Sequence, residues 1–155
     1  ERFARLYGLP LGVVLKRREE HSACETVVTV GDFAGKRCIV LDDMIDTGGS
    51  ILNAARTLKE RGAASVLVAA THALCTKDAV ARLSASPDVE RVVLTNSIPD
   101  IAAKIAAGAA GSKCAVVPIE PLLAEAIKIM EQAGSISALY ESQRELIRSY
   151  RKALR

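Results

Sequence analysis

The sequence predicts an α/β fold in which an open parallel sheet of at least four strands is flanked by helices. Short aliphatic runs alternate along the chain with longer segments of helical periodicity. Hydrophobic residues make up 50% of the chain and aromatic residues only 3%, a bias that suits helices packed on an aliphatic parallel sheet. With 155 residues, the chain has the size of one domain.

The first half of the chain is predicted to contain two helices separated by three strands. The opening helix is followed by Gly8, a residue type that commonly ends helices. Ile51, Ala55 and Leu58 recur on one face of the second helix, and Gly62 follows as its stop. In chain order the predicted elements are helix 1–7, strand 11–15, strand 26–32, strand 38–41 and helix 50–61.

The second half continues the alternation of strands and helices. Pro121 suits the first turn of a helix and Gly134 its end. Residues 101–113 are rich in Ala, Gly and Lys and are predicted to form either a mobile connection or a short helix. The other predicted elements are strand 65–72, helix 77–83, strand 91–97, strand 114–119, helix 121–134 and helix 139–154.

Charge, cysteine content and hydropathy narrow the function classes. The net charge of +3 is mild, and aromatic platforms for stacking bases are scarce, which argues against nucleic acid as a partner. The chain shows neither a signal peptide nor an apolar run of membrane-spanning length, so no membrane partner is expected. Four widely spaced cysteines predict reduced thiols and a cytoplasmic location. They are Cys24, Cys38, Cys75 and Cys114.

Residues 40–50, VLDDMIDTGGS, carry the strongest chemical signal. In open α/β sheets ligands bind outside the carboxyl ends of the strands, where Asp42 and Asp43 are predicted to lie. The glycines of the following turn allow close approach of an anion to the first N–H groups of a helix, and Thr47 and Ser50 add hydroxyl donors. The turn therefore predicts a phosphate site.

The acids need a different role, because carboxylates repel phosphate. Asp42 and Asp43 are suited to accept hydrogen bonds from vicinal sugar hydroxyls, or to hold Mg²⁺ that bridges to the ligand. Together the two acids and the glycine turn predict a binding site for ribose 5-phosphate. The alternative is an acidic turn with a good helix cap. The pattern matches neither a Walker loop nor G-x-G-x-x-G.

The segment is similar to the motif that binds 5-phosphoribosyl 1-pyrophosphate (PRPP). Type I phosphoribosyltransferases, which consume PRPP, share this loop, as do the ribose-phosphate pyrophosphokinases (PRPP synthetases), which make it. The segments LKRRE, ATHAL, VVLTNSIP, PIEPLLAEAI and SISALY resemble, in order, the C-terminal half of PRPP synthetases over about residues 1–140. The chain is thus identified as a member of the latter family, with a phosphoribosyltransferase type I-like, open Rossmann-like sheet.

The resemblance implies an activity and a set of binding residues. The family transfers pyrophosphate from ATP to the 1-hydroxyl of ribose 5-phosphate, with Mg²⁺, giving PRPP and AMP. Asp42 and Asp43 would contact the ribose hydroxyls directly or through metal, and the next residues would hold the 5-phosphate. The latter are Asp46, Thr47, Gly48, Gly49 and Ser50.

The resemblance also implies catalytic residues. The family's mobile catalytic loop begins with a Lys-x-Arg pattern, matched here by Lys16 and Arg18, which would stabilise charge on the transferred phosphates. Arg17 is a weaker candidate, and a solvated basic patch is the alternative for all three. His72 matches the family's Thr-His step, where a hydrogen-bonded strand-end histidine is the alternative. Residues 95–97 are predicted to form either a pocket contact or a plain turn.

The chain departs from the family in several places. It matches only the second of two tandem domains and lacks the Pro-Asp-Ala-Gly-Gly segment that usually opens it, so alone we expect it to bind without turnover. Thr76-Lys77-Asp78 replace Ser-Gly-Pro, which leaves an allosteric nucleotide site in that region open to question. We predict a domain at 1–138 and a basic helical tail at 139–155, and the family implies a homo-oligomer, a dimer or hexamer.

Three functions remain in competition. The leading hypothesis is the ribose-5-phosphate half of a PRPP synthetase, with ribose 5-phosphate and ATP or PRPP as ligands. A type I phosphoribosyltransferase would need a hood over a base-binding pocket, for which the sequence gives no candidate. A catalytically silent regulatory module associated with PRPP synthetase is the third.

Overall fold

The computed structural model describes residues 1–18, 25–108 and 113–153. Their elements, in chain order, are α1 (Arg2–Tyr7), β1 (Val13–Arg18), β2 (Glu25–Val30), β3 (Arg37–Ile45), α2 (Gly49–Glu60), β4 (Ser65–Ala73), α3 (Ala79–Ala85), β5 (Arg91–Thr95), α4 (Ile101–Gly108), β6 (Cys114–Val117), α5 (Glu120–Glu131) and α6 (Ile136–Ala153). Backbone contacts divide the chain into two compact units. Val14–Ile119 form one, and Glu1–Val13 with Glu120–Arg155 form the other.

The larger unit contains a four-stranded parallel sheet in the order β3-β4-β5-β6. Each strand joins the next through a helix, so the predicted parallel α/β fold is confirmed. The register places Val68 level with Val40 on one side and Val92 on the other. Aliphatic side chains thus meet across the centre of the sheet, as expected for strands covered by helices.

One face of this sheet forms the core with the helices. α2 packs on β3 and β4, α3 on β5, and α4 on β6. Val66, Val68 and Leu94 are fully buried, and Ile51 and Leu58 of α2 join them. The predicted apolar face of α2 is therefore confirmed.

β1 and β2 pair with each other in a separate two-stranded sheet. β1 begins at Val13 and continues through Arg18, three residues past the predicted end of this strand at residue 15. The backbone of the basic cluster is thus part of a strand. Most of the polar segment that follows it, 19–24, lies outside the described residues.

The smaller unit contains α1, α5 and α6. α1 and α5 each contact α6. The guanidinium carbon of Arg2 lies 5.9 Å from the ring centroid of Tyr140, a separation compatible with a cation–π contact. α6 begins at Ile136, three residues before the predicted start of the last helix, and carries the exposed basic residues Arg148 and Lys152.

Two helix boundaries differ from prediction for reasons visible in the backbone. α3 begins at Ala79 rather than at residue 77, because Cys75 and Lys77 adopt positive φ angles of 44° and 54°, which a right-handed helix does not accommodate. Residues 101–108 form α4, so this part of the ambiguous 101–113 segment is helical. Among the helices described, none has the length and hydrophobicity needed to cross a membrane.

Candidate functional site

The paired acids lie on the last residues of β3. The register continues from Asp42 opposite Ala70 to Met44 opposite His72 and Ile45 opposite Ala73. The strand therefore extends four residues beyond its predicted end at residue 41, because β4 pairs with it over this length. Asp42 and Asp43 are exposed, and the Asp42 carboxylate accepts the Asp43 backbone N–H at 2.9 Å.

A tight turn connects β3 to α2. Gly48 has φ = 76°, in the left-handed region that favours glycine. It is buried, and a Cβ added there would lie 3.5 Å from Cγ of Leu83 in α3. The Gly48 carbonyl accepts the Leu52 N–H at 3.0 Å, which starts the helix. The backbone conformation explains the glycine at this position, since an added Cβ would meet Leu83 only at an ordinary van der Waals distance.

The start of α2 has the properties of an anion site. The first backbone N–H groups of a helix have no partners within it, and they carry the positive end of the helix dipole. Ser50 is exposed at this end, and Thr47 and Gly49 are half-buried beside it. An added Cβ at Gly49 would lie 3.8 Å from the Thr47 hydroxyl. This arrangement suits a phosphate, because no bulky side chain at Gly49 would keep the ligand away from the backbone N–H groups and the hydroxyls.

A second segment, residues 75–82, holds this turn in place. The Thr76 hydroxyl donates to the Asp46 carboxylate at 2.5 Å, and the Thr76 N–H donates to the Asp46 carbonyl at 3.1 Å. The Cys75 N–H donates to the Ile45 carbonyl at 2.9 Å. Arg82 Nη1 donates to the Thr47 carbonyl at 3.2 Å. In the sequence, Thr76 stands out only as a departure from the family pattern, and Arg82 belongs to no motif.

The ends of β4 and β5 bring a third group of polar residues together. His72 Nδ1 lies 2.9 Å from the Ser97 hydroxyl oxygen. The Thr71 carbonyl accepts hydrogen bonds from the Ser97 hydroxyl at 2.9 Å and from the Thr95 hydroxyl at 2.6 Å. Asn96 Oδ1 accepts the Ile119 N–H at 2.9 Å, which fixes the chain after β6. His72 and the 95–97 segment, predicted separately, therefore form one hydrogen-bonded group.

The predicted catalytic residues are only partly described. The backbone of Lys16 and Arg18 belongs to β1, within the same compact unit as the 42–50 segment. The phosphate-stabilising roles expected of the two residues remain predictions.

The carboxylates at the end of β3 are oxygen ligands of the kind that Mg²⁺ binds. Within the described ranges, no group of three or more His, Cys, Asp or Glu side chains comes together as a metal cluster. Asp42 and Asp43 offer two exposed carboxylates, which suits Mg²⁺ because this ion commonly takes one or two carboxylates and completes its shell with water and substrate oxygens.

The described cysteines carry reduced thiols. None of Cys38, Cys75 and Cys114 forms a disulfide, in line with the prediction of reduced cysteines, whereas Cys24 lies outside the described residues. Burial raises the pKa of the Cys75 thiol and also that of the Cys38 thiol. A raised pKa keeps both thiols protonated and poorly nucleophilic at neutral pH.

Comparison with known proteins identifies the family. Residues 17–141 match the family described as "Phosphoribosyl synthetase-associated domain". The chain is 39% identical over 137 residues to the ribose-phosphate pyrophosphokinase of Aquifex aeolicus (strain VF5), covering 88% of the chain and 42% of the relative. It is 42% identical over 144 residues to that of Corynebacterium efficiens, covering 91% and 42%.

A solved structure gives the same result. The crystal structure of phosphoribosylpyrophosphate synthetase from Mycobacterium smegmatis matches with a TM-score of 0.72 and 36% identity, over 86% of this chain and 41% of that one. The chain thus spans about two-fifths of the length of these relatives. Sequence and fold together show that the chain belongs to the phosphoribosyl pyrophosphate synthetase family.

Proposed function

We propose that this chain is the ribose-5-phosphate-binding part of a PRPP synthetase. The observation that carries the proposal is the 42–50 segment, which places two exposed carboxylates within the last four residues of β3 and a glycine turn into α2 shortly after them. A ligand with vicinal hydroxyls and a phosphate satisfies both parts. The hydroxyls donate to Asp42 and Asp43, and the phosphate accepts from the helix N-terminus.

The complete reaction would transfer pyrophosphate from ATP to the 1-hydroxyl of the bound sugar. Such chemistry depends mainly on positioning and on stabilising negative charge. In this proposal Lys16 and Arg18 stabilise charge on the transferred phosphates, Arg18 through its planar fork and Lys16 as a point charge. Mg²⁺ bound near Asp42 and Asp43 would supply further neutralisation of phosphate oxygens.

Calorimetric titration of the 155-residue chain with ribose 5-phosphate tests the binding step. We expect saturable binding, and we expect Asp46→Ala to weaken it because the turn loses its bond to Thr76. Asp32→Ala is the matched control, since Asp32 is an exposed acid that bonds Lys36 at 2.7 Å before β3. Absence of binding by the unsubstituted chain, or equal effects of the two substitutions, would contradict the proposed site.

Transfer of labelled pyrophosphate from ATP to ribose 5-phosphate tests the reaction in the full-length protein. We expect PRPP and AMP as products, with Lys16→Ala lowering kcat more than it raises KM. Base-dependent consumption of PRPP without AMP release would identify a phosphoribosyltransferase instead. Binding without any transfer by the full-length protein would favour the regulatory module.

The chain alone spans about two-fifths of its relatives, and we propose that it binds ribose 5-phosphate without turnover. The same labelling assay on the 155-residue chain checks this point. Measurable PRPP synthesis by the chain alone would refute it.

A further inference from the structure

The hydrogen bonds around His72 determine which ring nitrogen carries a proton. The Ser97 hydroxyl has one proton, and its partner at 2.9 Å, the Thr71 carbonyl, can only accept. We assign that proton to the Thr71 carbonyl, since the two oxygens would otherwise face each other at 2.9 Å with no proton between them, and the Ser97 oxygen then accepts from His72 Nδ1, 2.9 Å away. The Thr95 hydroxyl likewise donates to the Thr71 carbonyl at 2.6 Å and accepts the Ser97 N–H at 3.2 Å.

This tautomer leaves Nε2 of the neutral ring as a hydrogen-bond acceptor. His72 is exposed, so Nε2 does not have to be satisfied by the protein interior. Nδ1 bonds to Ser97, which follows β5, and β4 lies between β5 and β3. His72 is level with Met44 on β3 and is therefore next to the carboxyl end of the strand that carries Asp42 and Asp43. Neighbouring strands are about 4.8 Å apart, a distance that a sugar spans.

We propose that His72 Nε2 accepts a hydrogen bond from a sugar hydroxyl of the ligand held by the 42–50 segment, with Ser97 as the positioning residue. The inference rests on the proposed function and adds a specificity contact to it. An unprotonated Nε2 discriminates between the two parts of the ligand. It attracts a hydroxyl, which has a proton to donate, and offers nothing to a fully ionised phosphate oxygen.

Two substitutions separate the roles of the two nitrogens. The amide nitrogen of His72→Asn lies near the position of Nδ1 and keeps the bond to Ser97, but nothing replaces Nε2. The longer side chain of His72→Gln reaches the position of Nε2 and can turn its amide oxygen toward a hydroxyl, but it gives up the Nδ1 position. Both variants and the unsubstituted protein are titrated calorimetrically with ribose 5-phosphate and with inorganic phosphate.

We expect His72→Asn to lower the affinity for ribose 5-phosphate about five- to tenfold, the equivalent of one hydrogen bond, with unchanged affinity for inorganic phosphate. His72→Gln should retain more of the sugar-phosphate affinity than His72→Asn. Ser97→Ala should lower the same affinity by a smaller factor, because it frees the ring without removing Nε2. Nitrogen-15 NMR of the ligand-free protein, recorded where imidazole is neutral, should show the His72 ring proton at Nδ1.

Three results would overturn the inference while leaving the proposed function intact. In the first, His72→Asn binds ribose 5-phosphate like the unsubstituted protein, so that only the bond to Ser97 matters. In the second, the substitution weakens phosphate and sugar phosphate equally, as a disturbed turn would. In the third, NMR finds the proton on Nε2, a result that holds even if a variant fails to fold. If the unsubstituted protein binds phosphate but not ribose 5-phosphate, both the inference and the proposed function fail.

Discussion

The Thr76 hydroxyl donates a hydrogen bond of 2.5 Å to the Asp46 carboxylate and so joins the start of the β4–α3 connection to the turn before α2. Asp46 is exposed, so this bond competes with water and its net contribution is moderate. Its importance lies in geometry, because it fixes the residue that precedes Thr47 and Gly48 in the proposed anion site.

Replacing Thr76 with Val should therefore weaken ligand binding more than folding. Losing one hydrogen bond corresponds to about 0.5–1.5 kcal/mol, or a two- to tenfold drop in affinity for ribose 5-phosphate, measurable by calorimetric titration. Thr76→Ser keeps the hydroxyl and should bind like the unsubstituted chain. Thr57→Val is a second control, because the Thr57 hydroxyl donates to the Asn53 carbonyl within α2 at 2.9 Å. An equal loss of affinity in Thr57→Val would argue against a specific role for Thr76.

Gly48→Ala should damage both the fold and the site. The φ angle of 76° places an alanine in the left-handed region at a cost of about 1–2 kcal/mol, and the added Cβ would lie in van der Waals contact with Leu83 beside the turn. Gly35 provides a matched control, since its φ is 68° and no atom lies within 4 Å of an added Cβ. Both variants should show a lower thermal midpoint, but only Gly48→Ala should bind inorganic phosphate more weakly. Normal phosphate affinity in Gly48→Ala would contradict the assigned anion site.

Leu83→Ala should lower both the free energy of unfolding and the affinity for ribose 5-phosphate. Leu83 and Leu94 are both fully buried, so truncating either should cost about 2–5 kcal/mol of unfolding free energy in denaturant titrations. Leu83 packs against Gly48, whereas Leu94 lies in β5, so the two variants should differ in affinity for ribose 5-phosphate at similar stability. Equal affinities would show that the contact with Gly48 does not shape the site.

Cys75 should make stability depend on alkaline pH. Burial raises the pKa of its thiol in the folded chain above the value in the unfolded chain. The resulting stabilisation is fully present below the ordinary thiol pKa of about 8.5 and is lost as the pH rises through the higher folded value. The difference in unfolding free energy between the unsubstituted chain and Cys75→Ala should therefore shrink with rising pH. A difference that grows in this range would have the wrong sign.

Local sequence patterns predict the order and type of the helices and strands outside the ambiguous 101–113 segment, but not all of their bounds. The apolar face of α2 and the glycine turn before it depend on residues within a few positions of each other, and both were placed correctly. The end of β3 was predicted too early, because polar Asp42 and Asp43 interrupt the apolar run that signalled the strand. Pairing with β4 extends the strand, and that pairing is invisible to a local pattern.

Long-range contacts account for the residues that the sequence did not assign. Thr76 and Arg82 reach the turn across 30 and 35 positions of the chain, and neither belongs to a recognisable motif. The sequence predicts His72 and Ser97 each at a strand end. Their hydrogen bond depends on β4 and β5 being neighbours, so only the strand order reveals it.

The contacts between the 42–50 and 75–82 segments have a consequence for protein engineering. Four hydrogen bonds join them, so a chimaera that receives residues 42–50 from another member of the family would contain this turn without its matching hydrogen-bond partners. Exchanging both segments together should preserve ligand affinity where exchanging either one loses it. In recombination experiments, these two segments should therefore be exchanged as one unit.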